Sequence, residues 1–402
     1  MRSKNTLSRL NKLSGFRYSV RHLLTLFLLV AIAGSALYFS NIVFAATRTW
    51  DGGGLTSNWS EAANWSSDTL PLATDSVVFD GTSVKDCTVN VNVTVANLNI
   101  NAGYSGTISQ GSSNVKVSFG NFSQSAGIYN VGSGTFTEER GFFTLTAGNF
   151  TGSNGNMIFE FSTVNLNGGT FTAASGNTTS NGSTLNFNGS TFNHNDGTMK
   201  FASYNGPFGG NCCSTINMDG ASAGTRDFFN VNFEASDNAG SAVIIGDNDT
   251  VRVNGTTNFV EGDVNKAVGN IGPGFSQSIV EALGDVVVSS SYGNSSDAVG
   301  TAIQSFAGTA LLKLTGNAVR TITVPSNLRG YFNPIELNAP NTTVTTSGTG
   351  TAGFQFLTLM SGTVDTGTTT FSLDFYTHSQ SGGSFVCGTG TTIFDGGSFT
   401  QT

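Results

Sequence analysis

The sequence predicts an all-β fold in which short coils stack into a β-solenoid, preceded by an N-terminal signal or anchor helix. Three observations carry that reading. Gly-x-Phe-Thr phrases recur along the body. Between them lie alternating apolar and polar stretches too short to bury a core alone. Only 10% of residues are charged, while 52 of the 402 are Gly and 32 are Phe. An ordinary soluble domain has about 25% charged residues and about 7% Gly, so a helical enzyme or a coiled coil is a poor fit. Aromatic residues make up 11%, more apolar surface than a disordered chain carries.

The first element reads as an export signal. Arg2 to Arg21 is basic, Leu23 to Phe39 is apolar, and Val43-Phe44-Ala45 presents small or tolerated residues where a signal peptidase reads. Residues 1–45 are therefore expected to be a signal peptide cleaved after Ala45, or a retained signal anchor. The apolar run is at the short end of the roughly 17 to 25 residues that span a bilayer. Membrane contact is expected only through residues 22–39, and only if they are retained. In either case the body is expected to be extracellular or at the cell surface. Setting the segment aside removes six of the 17 cations and none of the 25 acids, leaving 11 against 25, a net of −14. Those cations are scattered singly from Arg48 to Arg329. With no basic stripe to neutralise phosphates, nucleic acid is not an expected partner.

Residues 46–81 differ in kind, because all three Trp fall there: Thr49-Trp50-Asp51-Gly52-Gly53-Gly54, Asn58-Trp59-Ser60 and Ala63-Asn64-Trp65-Ser66, followed by Pro71. Trp50, Trp59 and Trp65 are expected either to cap the open apolar end of the first coil or to expose their indole faces as a glycan-stacking platform.

Residues 82–261 carry the clearest repeats and form a first solenoid module. Phe122, Phe136, Phe150, Phe171 and Phe192 sit in related phrases spaced by 14, 14, 21 and 21 residues. Stretches such as Val115-Lys116-Val117-Ser118-Phe119 and Leu185-Asn186-Phe187 alternate like strands with one face inward. Stacking at about 4.8 Å per coil would set the repeated Phe one above another as a ladder, with Gly and Asn at the corners. Residues 262–305 break the rhythm and are expected to be an irregular junction, with Ile279–Leu283 as a helical turn or loop. Residues 306–402 form a second module, since Arg226–Ala235 aligns with Arg329–Ala339 after one insertion. Its last phrases echo Gly168–Phe192, so the chain is expected to stop in mid-repeat and to leave an edge open to edge-to-edge self-association.

The Trp-Asp-Gly-Gly head, the Asn-Trp pair, Pro71 and the strand Asp75-Ser76-Val77-Val78-Phe79-Asp80, together with the Gly-Thr-Phe-Thr repeats, resemble exported bacterial surface proteins of the autotransporter-passenger and filamentous-haemagglutinin-like type. The resemblance implies a right-handed parallel β-helix of pectin-lyase-like architecture, displayed at the cell surface and often adhesive. The C-terminal membrane β-barrel of the autotransporters has no counterpart in this sequence.

Few residue groups suggest chemistry. Asp247-Asn248-Asp249 could share a Ca²⁺ or act as an acid and base pair, or be a solvated turn before Val251-Arg252-Val253. Arg226-Asp227 is the other local charge grouping. His194 and His378 sit in polar, turn-like phrases and are expected at the surface. Cys212 and Cys213 are adjacent in a loop composition, as a vicinal disulfide, half of a longer bridge, or a loop pair. With no Cys-x-x-Cys pair and two His in the body, no zinc site is expected. Gly220–Gly224 matches the nucleophile-elbow pattern without the strand-to-helix context that the chemistry needs. No catalytic residue, cofactor or metal is assigned, with Ca²⁺ at Asp247 and Asp249 as the weak candidate. The expected function is a non-catalytic structural or adhesive one, presenting a stiff solenoid to surface glycans or other extracellular polymers. The alternative is a polysaccharide lyase or hydrolase on the same scaffold.

Overall fold

A computed structural model describes residues 45–203, 213–218, 224–235, 242–261, 263–264, 278–289, 310–325, 331–332, 334–348, 351–354, 356–374, 377–395 and 398–402. The residues expected to form the signal or anchor helix, together with Cys212 and Ser222, lie outside these. Thr47–Thr402 makes one compact unit. It is all-β, with parallel strands stacked as a solenoid and with helix limited to two 3₁₀ turns at Ala62–Asn64 and Ser66–Asp68 among the described residues.

Each coil of the N-terminal portion has three strands. A representative coil runs through Asn121–Gln124, Ile128–Asn130 and Phe136–Glu139, and the next through Phe142–Leu145, Asn149–Thr151 and Met157–Glu160. Partners in register are 21 residues apart, as in Phe142 with Thr163 and Phe150 with Phe171. Along each strand burial alternates, so every second side chain enters the core.

The 21-residue period corrects the simple Phe ladder. A spacing of 14 is two thirds of a coil and carries a residue onto another face. Phe150, Phe171 and Phe192 do share one column, below Cys87, Ile108 and Tyr129. Phe122 instead stacks on Phe143 with ring centroids 4.6 Å apart and planes 7° from parallel, and Phe136 sits between Val115 and Met157. Rings from the three faces meet edge to face in the middle, as Phe143 and Phe150 do at 4.9 Å. Each such pair adds about 0.5–1.5 kcal/mol to its area burial.

Corners tolerate little side chain. A Cβ placed on Gly141 would lie 1.5 Å from the carbonyl oxygen of Gly120, and Gly148 turns with φ +82°. Asn has a further use beyond turning the chain. The Oδ1 of Asn92 accepts the N–H of Asn114, whose Oδ1 accepts that of Thr135, both at 2.9 Å. On an outer face Asn217 donates to Asn186, which donates to Asn165, each at 2.8 Å. Several isolated cations pair with an acid one coil away, such as Lys116 with Glu139 at 3.0 Å and Arg252 with Glu281 at 2.7 Å.

The expected junction contains regular solenoid. Ile279–Ala282 is a strand paired with Thr250–Val253 on one side and Leu311–Leu314 on the other, and Val286–Val288 pairs with Thr257–Glu261. Its alternating Val280 and Ala282 point inward, a strand pattern that outweighs the helical composition. Further along, the faces change. Ile335–Ser347 is a 13-residue strand whose register with Leu357–Asp365 shifts at Leu337/Asn338 and Asn338/Thr343. The aligned Arg226 and Arg329 segments are not equivalent in position. Thr225–Phe228 belongs to the same sheet as Ile335–Ser347, whereas Tyr331–Phe332 belongs to a separate sheet.

Candidate functional site

The Trp cluster is built as follows. Thr47–Thr49 pairs with Ser76–Phe79, bringing Trp50 against the first complete coil. Trp50 and Trp65 are fully buried and Trp59 is 3% exposed. Their rings close on one another and on Phe79, with Trp59–Trp65 at 4.5 Å, Trp50–Trp65 at 5.1 Å and Trp50–Phe79 at 5.6 Å. The Trp50 indole N–H donates to the carbonyl of Lys85 at 2.9 Å, and that of Trp65 to the carbonyl of Trp59 at 2.8 Å. With faces covered and donors used, this arrangement seals the coil and presents no aromatic platform to a sugar.

The Gly-rich head folds around buried Asn64. Its Nδ2 donates to the carbonyls of Thr56 and Asn58, and its Oδ1 accepts from Gly54 N, each at 3.0 Å. Lys85 Nζ reaches the carbonyls of Gly52 and Gly54. The Glu61 carboxylate accepts the Leu55 and Thr56 N–H groups and the Thr56 hydroxyl. That hydroxyl first, then the backbone donors, hold its pKa below the usual carboxylate value. The Asn-Trp phrase is thus loop scaffolding.

Asp247 and Asp249 part company. Asp247 is exposed, while Asp249 is 3% exposed. The Asp249 carboxylate accepts the N–H of Met218 at 2.8 Å and of Gly224 at 3.0 Å. It therefore ties its turn to the preceding coil with the oxygens a cation would need. Among the described residues no three His, Cys, Asp or Glu side chains gather as a metal site. Cys213 is half-buried, and its sequence neighbour Cys212 lies outside the described residues.

His378 corrects the surface expectation. It is fully buried, and its Nδ1 accepts the N–H of Leu357 at 3.2 Å. Its strand, Thr377–Gln380, alternates in register with Ser398–Gln401, and His378 occupies an inward position. His194 is half-buried, its ring stacked on Phe229 at 5.9 Å.

His194 leads to a place that the sequence does not single out. The six-stranded sheet that begins at Cys87–Thr88 ends at Thr191–Asn193, and a new sheet begins at Thr225–Phe228. At this break lies a groove of about 340 Å³ lined by Phe192, Asn193, His194, Thr225, Arg226, Asp227 and Asn254. Arg226 occupies an inward register position above buried Val251 and Val280, with its guanidinium carbon 5.5 Å from the Phe187 ring centroid. Asp227 points outward, 3.5 Å from Arg252 Nη1. The signal for it in the sequence is the alternation Thr225-Arg226-Asp227-Phe228, which puts a cation on the core side beside Phe228. That placement has meaning only once the sheet break is known.

Comparison with protein families, with curated proteins and with solved structures finds no match to this chain. Among the described residues, no helix is long and apolar enough to cross a membrane.

Proposed function

We propose that the chain is a non-catalytic structural or adhesive protein, exported through residues 1–45, cleaved after Ala45 and displayed at the cell surface or secreted. In this reading it is related to the exported bacterial β-helix proteins it resembles and coils in the right-handed sense that parallel crossovers follow in about 98% of cases. The observation that carries the proposal is the division of labour between inside and outside. A core of stacked rings makes a stiff body, while the outward positions form polar ladders such as Asn165, Asn186 and Asn217. Regularly spaced amides and hydroxyls are suited to hydrogen-bonding a polymer of repeating hydroxyls, and a stiff body keeps them in register.

The enzymatic alternative needs a paired acid and base, and two carboxyl groups roughly 5 to 10 Å apart are the usual arrangement for glycoside hydrolysis. The groove at the sheet break holds one carboxylate, Asp227, already engaged by Arg252. Binding is accordingly the function argued. A glycan-array screen of the purified protein is expected to return retained ligands, and the same ligands incubated with the protein are expected to stay intact by mass spectrometry. Release of new reducing ends or unsaturated products would replace this reading with the enzymatic one.

A further inference from the structure

The groove at the sheet break is the one place where the core column of a solenoid face reaches an opening lined by mixed chemistry. Down that column run Tyr129, Phe150, Phe171 and Phe192, and across the break stands Arg226, followed by Val251 and Val280. A cation in a column otherwise filled by apolar side chains costs desolvation. Here it sits over the Phe187 ring and at the wall of a groove whose volume falls in the range of small-molecule sites, about 300–1,000 Å³. Phe192 and His194 also border a small internal pocket shared with Phe228 and Phe229, so the ring wall of the groove is backed by the core.

We propose that this groove binds an acidic sugar unit of a polysaccharide, with its carboxylate on Arg226. The inference rests on the glycan-binding reading above and adds the site and the charge of the ligand. The guanidinium fork matches a planar carboxylate with two parallel N–H donors. Phe192 offers an apolar surface to the C–H face of the ring, and Asn193, Thr225 and Asn254 supply neutral donors and acceptors for hydroxyls. Asp227 lines the rim with its charge turned to Arg252, which spares an incoming anion part of its repulsion.

The test uses two probes of equal length and linkage, a β-1,4-linked glucuronate oligosaccharide and the matching glucose oligosaccharide, titrated into the full chain. The acidic probe is expected to bind at least tenfold more tightly, with an advantage that shrinks as salt rises. Arg226→Gln is expected to abolish that preference while leaving binding of the neutral probe unchanged. Arg226→Lys, which keeps the charge and loses the fork, is expected to fall between. Asp227→Asn, on a half-exposed side chain whose loss the fold tolerates, is expected to increase affinity for the acidic probe several-fold, a gain that general damage to the fold does not produce. Equal affinity for the two probes, or a preference that survives Arg226→Gln, overturns the acidic site and leaves glycan binding standing. Failure of both probes to bind overturns the site as well, and the glycan array then decides the broader reading by itself.

Discussion

Glu138 offers the sharpest test of the physical picture. The strand Phe136–Glu139 alternates, with Phe136 and Glu138 inward, and the residues above and below Glu138 in its column are Val117 and Phe159. The side chain is fully buried, and neither carboxyl oxygen has a hydrogen-bond partner. It fills the corner over Gly141, where an added Cβ would lie 2.7 Å from Oε1. Its neighbour Glu139 faces outward to Lys116 and Ser118 and does not relieve it. Burial raises the Glu138 pKa from 4.5 to about 9, the Phe122 backbone amide opposing by less. By contrast Arg320, also buried, donates to the carbonyls of Gly284 and Thr315 at 2.6 Å and to the Thr342 hydroxyl at 2.9 Å.

Because the folded state holds the Glu138 proton more tightly than the unfolded state, it binds more protons between pH 4.5 and about 9. Stability from this group is fully present below pH 4.5 and falls through that window by about 1.4 kcal/mol per pH unit, or about 4 kcal/mol from pH 5 to pH 8. Glu138→Met, apolar and of similar length, removes the titration. A solenoid opens locally rather than all at once, so hydrogen exchange in peptides from Val115–Leu166 is the assay. The variant is expected to protect this region more than the parent at pH 8, by several kcal/mol in opening free energy, with the difference shrinking toward pH 5. Other carboxylates affect both proteins alike and cancel. A parent-minus-variant difference that is flat from pH 5 to pH 8 would falsify the assignment of a neutral, unpaired carboxyl to the core.

Three further outcomes are expected. Trp59→Ala should cost about 3–5 kcal/mol locally, seen as loss of protection in Thr47–Phe79; a folded variant that has lost only glycan binding would contradict the sealing role. Asp249→Ala leaves the Met218 and Gly224 N–H groups without their acceptor, at about 1–3 kcal/mol for each buried group. Added Ca²⁺ should not raise the melting temperature of the parent, and a saturable rise that Asp249→Ala abolishes would restore the cation site. N-terminal sequencing of the exported protein should begin at Ala46, and recovery of Met1 on that protein would mean that the segment is retained.

The solenoid was legible because its cause is local and repeated. A unit that cannot bury its own apolar face must stack, and alternation within Val115–Ser118 or Thr184–Phe187 marks which side goes in. The strand at Ile279–Ala282 was less legible, because four residues of Ile, Val, Glu and Ala fit a helical turn as well as a strand until neighbouring coils supply partners. The same limit hid His378, whose polar neighbours suggest a turn while its register puts it in the core. The groove was hardest to see, since Phe192 and Arg226 are separated by about one and a half coils of sequence and meet only where the sheet is interrupted.

Composition and periodicity by themselves determined that this chain is all-β, that it stacks short coils, that its aromatic residues form the interior, and that its body after Ala45 is strongly acidic. These follow from the 2.0-residue period of strands and from the inability of short units to stand alone. Tertiary structure alone decided that a coil is 21 residues, that Phe122 and Phe136 lie on different faces from Phe150, that the three indoles face inward, and that Glu138 has no partner while Asp249 has two. Those outcomes depend on which residues lie one coil above and below, and the vertical neighbour is set by the length of every corner between them.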